Sequence, residues 1–202
     1  SEVYTCMLAA AGKEEAEQIL TEHPRAVVAH LISEDAKEDS PRVLYDAMVD
    51  KAFCNGLLEA IGKRRHLKGE SGNVTGVPSR IFKSVSGSAK DTLILDSALV
   101  KGEQSNTSVV YGDRLILKLF RHIEEGPNPD LEVGRFLTEK AHCPHTPPLA
   151  GALEYHRRNK RPSTLAVVHG LVPNAVDAWR YTLDALDRYF KRALAHPTVQ
   201  MP

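Results

Sequence analysis

The chain has 202 residues, 42% hydrophobic and 26% charged, an ordinary globular balance with length for one large domain or two small ones. Lysine plus arginine equals aspartate plus glutamate at 26 each, so no net field draws in nucleic acid or an acidic membrane. No apolar run approaches the roughly 20 residues needed to cross a bilayer.

The opening SEVYTCMLAAAG has no basic region ahead of its apolar run and does not read as a signal peptide. Cys6, Cys54 and Cys143 stand far apart, which predicts reduced thiols in a cytoplasmic protein, with neither a disulfide framework nor a zinc site. Residues 2–10 read as a strand, and 13–22 (KEEAEQILTE) as a helix started at Gly12 and ended near Pro24. Residues 25–32 (RAVVAHLI) read as a buried strand. Residues 43–61 (VLYDAMVDKAFCNGLLEAI) repeat apolar positions three and four apart, as an amphipathic helix does, with Gly56 marking a break or a close helix contact. The glycine- and serine-dotted stretch 68–90 predicts short strands or a loop, with a subdomain boundary near its end.

The second half is strand-rich. Residues 91–100, 108–111 and 115–120 are strand-like, the last two joined by Gly112-Asp113-Arg114, a tight-hairpin signal. A helix is predicted from Pro129 to about Ala141, capped by Asn128. Residues 151–156 and 163–172 form a second hairpin across the basic turn 157–161. A final helix over 177–195 carries Trp179, Leu183, Leu186, Phe190 and Leu194 on one face.

Within 115–120 (LILKLF), alternation puts Ile116, Lys118 and Phe120 on one face. Lys118 is either an edge lysine snorkelling into water or a functional cation needing a partner. The surrounding order favours the second: a small polar loop, a hairpin, the lysine strand, then an acidic helix. A nucleotide-binding kinase lobe needs these parts in this order, with a loop over the triphosphate, a lysine on phosphate oxygens and a helix carboxylate holding the lysine. Glu132 is the first candidate for that carboxylate and Glu139 the second; the alternative for Glu132 is a helix-dipole glutamate paired with Arg135 or solvent. The loop 104–108 has no glycine-rich cradle, although its side chains and N–H groups could serve. Residues 165–172 (LAVVHGLV) are either a segment whose backbone meets an adenine edge or simply the last strand of the sheet.

The run EQSNTSVVYGDRLILKLFRHIEEGPNPDLEVGRFLTE, residues 103–139, closely resembles bacterial maltokinases, including the maltokinase region fused to trehalose synthase. PPLAGALEY (147–155) and LVPNAVDAWRYTLDALDRYF (171–190) are similar to that family too, and residues 43–61 more loosely. The resemblance implies an α+β, protein-kinase-like (aminoglycoside-phosphotransferase-like) N-terminal lobe with an antiparallel sheet. It implies a cap subdomain over 1–90, an ATP-binding subdomain over 91–175, and a helix over 176–202 leading toward a C-terminal lobe. The implied reaction is transfer of the γ-phosphoryl group of ATP to maltose, giving maltose 1-phosphate, with Mg2+, in the cytoplasm and beside a fused or associated trehalose synthase domain. Carried over by position, Lys118 contacts phosphates and Glu132 pairs with it. Ser105, Asn106, Thr107 and Ser108 cover the phosphates, and Val168, His169, Gly170 and Leu171 form the adenine hinge. Val176 stands where relatives show glycine.

The family's catalytic base and Mg2+ ligands sit in a histidine-glycine-aspartate motif and a later acidic motif, and neither is present; His169-Gly170 is followed by Leu171. The chain is therefore expected to be the N-terminal part of a longer kinase, inactive alone. The alternative is a non-catalytic regulatory or interaction module on a kinase-like scaffold. Other constellations are weak. Pro144 and Pro147 make the stretch with His142, Cys143 and His145 a loop, and the basic turn 157–161 lacks the interleaved aromatics of a nucleic-acid site.

Overall fold

The computed structural model describes residues 2–32, 41–87, 95–100, 106–173 and 178–195. The chain divides into two units, residues 1–171 and 172–202. In the first, strand β1 (Val3–Tyr4) and β2 (Leu8–Gly12) replace the single strand expected over 2–10. The break arises because Thr5 N donates to Arg121 O while Met7 O accepts from Ala47 N, so the two ends serve different partners. Helix α1 (Lys13–Glu22), β3 (Val27–His30) and β4 (Arg42–Asp46) follow. The strands form an antiparallel layer in the order β2-β4-β3. Its inner face packs Ala11, Val43 and Tyr45 on Ala16 and Ile19 of α1.

The single helix expected over 43–61 is three elements: β4, one turn at Ala47–Val49, and α2 (Lys51–Gly62). Two aspartates make the divisions. Asp46 Oδ1 accepts from Met48 N at 3.1 Å and Asp50 Oδ1 from Ala52 N at 2.7 Å, each opening a new turn. Gly56 neither breaks α2 nor touches another element: a Cβ there would meet nothing within 4 Å.

The elements β5 (His66–Lys68), β6 (Asn73–Pro78), α3 (Phe82–Ser86), β7 (Ser97–Leu99), β8 (Asn106–Tyr111), β9 (Leu115–Phe120), β10 (His122–Ile123), α4 (Pro129–Glu139), β11 (Leu149–His156) and β12 (Ser163–Gly170) complete this unit. Seven strands make one sheet, β5-β6-β11-β12-β9-β8-β7, antiparallel throughout, while β1 pairs with β10. The hairpin β5–β6 falls inside the span expected as a 1–90 cap, yet β6 pairs along its whole length with β11. Close approach of α2 locks it there, since a Cβ on Gly76 would run into the Ala60 carbonyl.

The central strands β9, β11 and β12 are packed on both faces. On one face, Leu117, Leu119, Leu153 and Val168 pack with Leu58 and Ile61 of α2. On that side the buried Tyr111 hydroxyl donates to Cys54 O at 2.7 Å. On the other face, Phe120, Leu149, Ala152 and Val167 pack with Leu131 of α4. Asn128 caps α4 as expected, its Oδ1 accepting from Asp130 N and Leu131 N. In the second unit, α5 (Ala178–Ala195) has no buried residue, and Trp179, Leu183, Leu186, Phe190 and Leu194 are exposed. Among the described residues, no helix is long and apolar enough to cross a membrane.

Candidate functional site

Lys118 projects from β9 on the α4 side of the sheet, with its Nζ 5.2 Å from the centroid of the Phe120 ring. Its partner is a carboxylate of α4, but not the expected one. Lys118 Nζ lies 2.6 Å from Asp130 Oδ2. The correction follows from helix geometry: at about 100° per residue, Asp130 and Glu132 point roughly 200° apart, whereas Asp130 and Gly134 share a face. Gly134 marks the side that meets the sheet, because a Cβ there would lie 3.2 Å from His169 Cε1 and 3.6 Å from Leu149 Cβ.

Glu132 and Glu139 sit on the far flank of the helix, lining a groove of about 670 Å³ with Arg135, Phe136, Arg161 and Pro162. Glu139 accepts from Arg80 N at 3.2 Å, and Arg135 pairs with Glu154 at 3.5 Å rather than with Glu132.

Strand register surrounds the ammonium with defined neighbours. Ser108 and Val167 are its Cα partners on either side, and the adjacent row on that face is Val110, Ile116 and His169. Val110 and Ile116 are half-buried, while Val109, Leu117 and Val168, pointing the other way, are fully buried. An apolar strip therefore lies beside a paired cation and is still reachable by water. The row of Leu115 and Gly170 is three residues from that of Lys118, about 10 Å along a strand.

His169 closes this strip, with Nδ1 3.4 Å from Pro147 O. Burial pushes its pKa below the ordinary value and outweighs the opposing influence of Pro147 O and Asp130; Lys118 also acts downward. The ring is neutral at physiological pH.

The other expected site residues divide. Ser105 lies outside the described residues. Asn106, Thr107 and Ser108 belong to β8 rather than to a loop. Thr107 is paired with Leu119, on the α2 side, and its Oγ1 accepts from Arg121 Nε at 2.8 Å. That hydroxyl is turned away from Lys118 and already engaged. Val168 is core. Gly170 N donates to Pro148 O at 2.9 Å and Leu171 N to Arg114 O at 2.7 Å, so neither N–H is open to an adenine edge.

The residue that reasoning from sequence missed is Asp130; Gly134, four residues on, shares its face of α4, but Gly56, a helix glycine with open space around it, shows that such a glycine does not by itself mark a packed face. Among the described residues no three of His, Cys, Asp and Glu come together to hold a metal, His142, Cys143 and His145 included. In the basic turn, Lys160 pairs with Glu125 at 2.9 Å, and Glu125 Oε1 accepts from Arg161 N. Those two contacts, Lys160 foremost, hold the Glu125 carboxyl below its ordinary range.

No family model matches the sequence. Among solved structures, one described as "Glucosamine kinase (crystal form B)" is similar at 18% identity, with a TM-score of 0.34 over 67% of this chain and 41% of that one. The chain thus spans less than half the length of that protein.

Proposed function

We propose that this chain carries the nucleotide-binding part of a phosphotransferase, in which Lys118 engages the phosphates of ATP while Asp130 aims it. The observation carrying this reading is the Lys118–Asp130 pair, 2.6 Å apart, beside the half-buried Val110–Ile116 strip. The order of elements supports it: two hairpin-linked strands, one with the lysine, then a helix whose first turn bears the carboxylate, then a second hairpin. Phosphoryl transfer depends on positioning and charge stabilisation, and a lysine held by a helix carboxylate is one of its recurring parts.

The substrate reading is maltose, with maltose 1-phosphate as product, and it rests on the resemblance of residues 103–139 to maltokinases. Under that reading the catalytic base and the Mg2+ ligands belong to a further lobe, and an associated trehalose synthase domain supplies the maltose. This chain's own part is to grip the nucleotide.

The test is titration of the chain with Mg·ATP. Saturable binding is expected, weakened at least about tenfold, or 1.4 kcal/mol, by Lys118→Met. The melting temperature should hardly move, because a pair this exposed contributes about 1 kcal/mol or less to folding. Equal affinity in the variant removes Lys118 from the site. No binding by the wild type leaves the non-catalytic scaffold as the better account.

A further inference from the structure

Arg121 joins three segments of the first unit. It follows β9 directly, and its Nε donates to Thr107 Oγ1 at 2.8 Å and its Nη2 to Asp46 Oδ2 at 2.6 Å. Its carbonyl accepts from Thr5 N at 2.7 Å. Asp46 is itself committed, since it ends β4 and its other oxygen opens the turn toward α2. Arg121 and Asp46 are 29% and 31% exposed, against 68% and 80% for the surface pair Lys51–Asp96. A planar guanidinium serving two acceptors in a partly dry setting fixes an angle as well as a distance.

The position of this clamp matters. Thr107 immediately precedes Ser108, the Cα partner of Lys118, and Arg121 stands three residues beyond Lys118. The clamp lies on the α2 side of the sheet, and the ammonium projects from the opposite side of the same two strands. We propose that Arg121 is a positioning residue that couples the three-stranded layer to the Lys118 site: it holds Thr107 against β9 so that Ser108 stays across from Lys118, and it takes its own bearing from Asp46. The proposal rests on reading Lys118 as a phosphate ligand. A nucleotide that fixes Ser108 and Lys118 also steadies Thr107, Arg121 and Asp46. By reciprocity, loosening Asp46 weakens the nucleotide.

Amide hydrogen exchange of the chain, with and without a non-hydrolysable Mg·ATP analogue, tests this. Bound nucleotide should slow exchange over residues 43–49, which lie outside the nucleotide site. Thr107→Val removes the hydroxyl that accepts from Arg121 and keeps the shape; it should fold normally, bind roughly five- to tenfold more weakly and lose the transmitted slowing. Arg121→Lys, with one compact donor group instead of a fork, should keep part of it. A purely structural clamp would lower stability without moving this nucleotide-dependent signal. The proposal is overturned if the wild type binds nucleotide with no slowing over 43–49, or if Thr107→Val transmits it in full. Absence of binding by the wild type removes the Lys118 reading, and this coupling with it.

Discussion

Asp130 Oδ2 stands 2.6 Å from Lys118 Nζ, at the join between the first turn of α4 and the middle of β9. Two effects favour the carboxylate there, the ammonium and the N-terminal end of the helix dipole. The side chains are 39% and 45% exposed, which limits what the pair adds to stability and leaves the ammonium open to a ligand.

Asp130→Asn and Glu132→Gln separate the observed partner from the expected one. Asp130→Asn should weaken Mg·ATP binding about tenfold, because the lysine loses its aim. Glu132→Gln, on the opposite flank of α4, should leave it unchanged. Calorimetric titration of both variants reads the contrast. A larger loss from Glu132→Gln would mean that α4 seats differently when nucleotide is bound.

Periodicity and turn chemistry made much of the architecture readable. α1, β9 and the Asn128-capped α4 fall where the sequence predicts them, because each is specified by neighbours close in the chain. Residues 43–61 misled because strand alternation at Val43 and Tyr45 and helical spacing from Lys51 onward run together without a glycine or proline between them. Only the capping geometry of Asp46 and Asp50 separates them. At the site, alternation along β9 placed Lys118 on its face correctly. The choice between Asp130 and Glu132 depends on how α4 is rotated against β11 and β12, a tertiary fact set by Gly134, His169 and Leu149. Arg121 was illegible for a similar reason, since its two side-chain partners lie 14 and 75 residues away.

Two glycine-to-alanine changes at or near α2 should shift stability in opposite directions. In Gly76→Ala, the new methyl collides with the Ala60 carbonyl and approaches Ile61 Cα at 2.8 Å. Both obstacles are backbone, so β6 and α2 must separate, at a cost of about 3 kcal/mol. In Gly56→Ala the methyl meets nothing within 4 Å, and the helix interior gains about 0.5–1 kcal/mol. Urea denaturation midpoints should bracket the wild type. A neutral Gly76→Ala would mean that α2 does not press on β6 as described.

Thiol titration should distinguish the three cysteines. Cys6 is exposed and Cys143 partly so, whereas Cys54 is buried and its Sγ donates to Met48 O at 3.3 Å. Burial foremost, then Asp50 and Asp46, pushes the Cys54 thiol up to about 11. Near pH 7 that leaves about one part in 10⁴ as thiolate, the reactive form. A disulfide reagent should therefore modify Cys6 fastest, Cys143 next, and Cys54 only after denaturant is added. Prompt reaction of Cys54 in the native protein would contradict the packing of α2.

His169 should make folding sensitive to mild acid. Burial dominates among its influences and sets its folded pKa below the ordinary 6.5, with the Pro147 carbonyl and Asp130 opposing and Lys118 reinforcing the shift. Above that ordinary value the ring is neutral in both folded and unfolded chains and adds no pH dependence. As pH falls through it, the unfolded chain takes up a proton that the folded chain refuses, so folding weakens until the lower, folded value is passed. Denaturation midpoints at about pH 7.5 and 5.5 should show a larger loss for the wild type than for His169→Gln. Glutamine does not titrate, and the comparison of losses cancels any constant packing defect against Gly134. An equal loss in both proteins would show that His169 charges as readily folded as unfolded, and that the end of β12 is open to water rather than closed by α4.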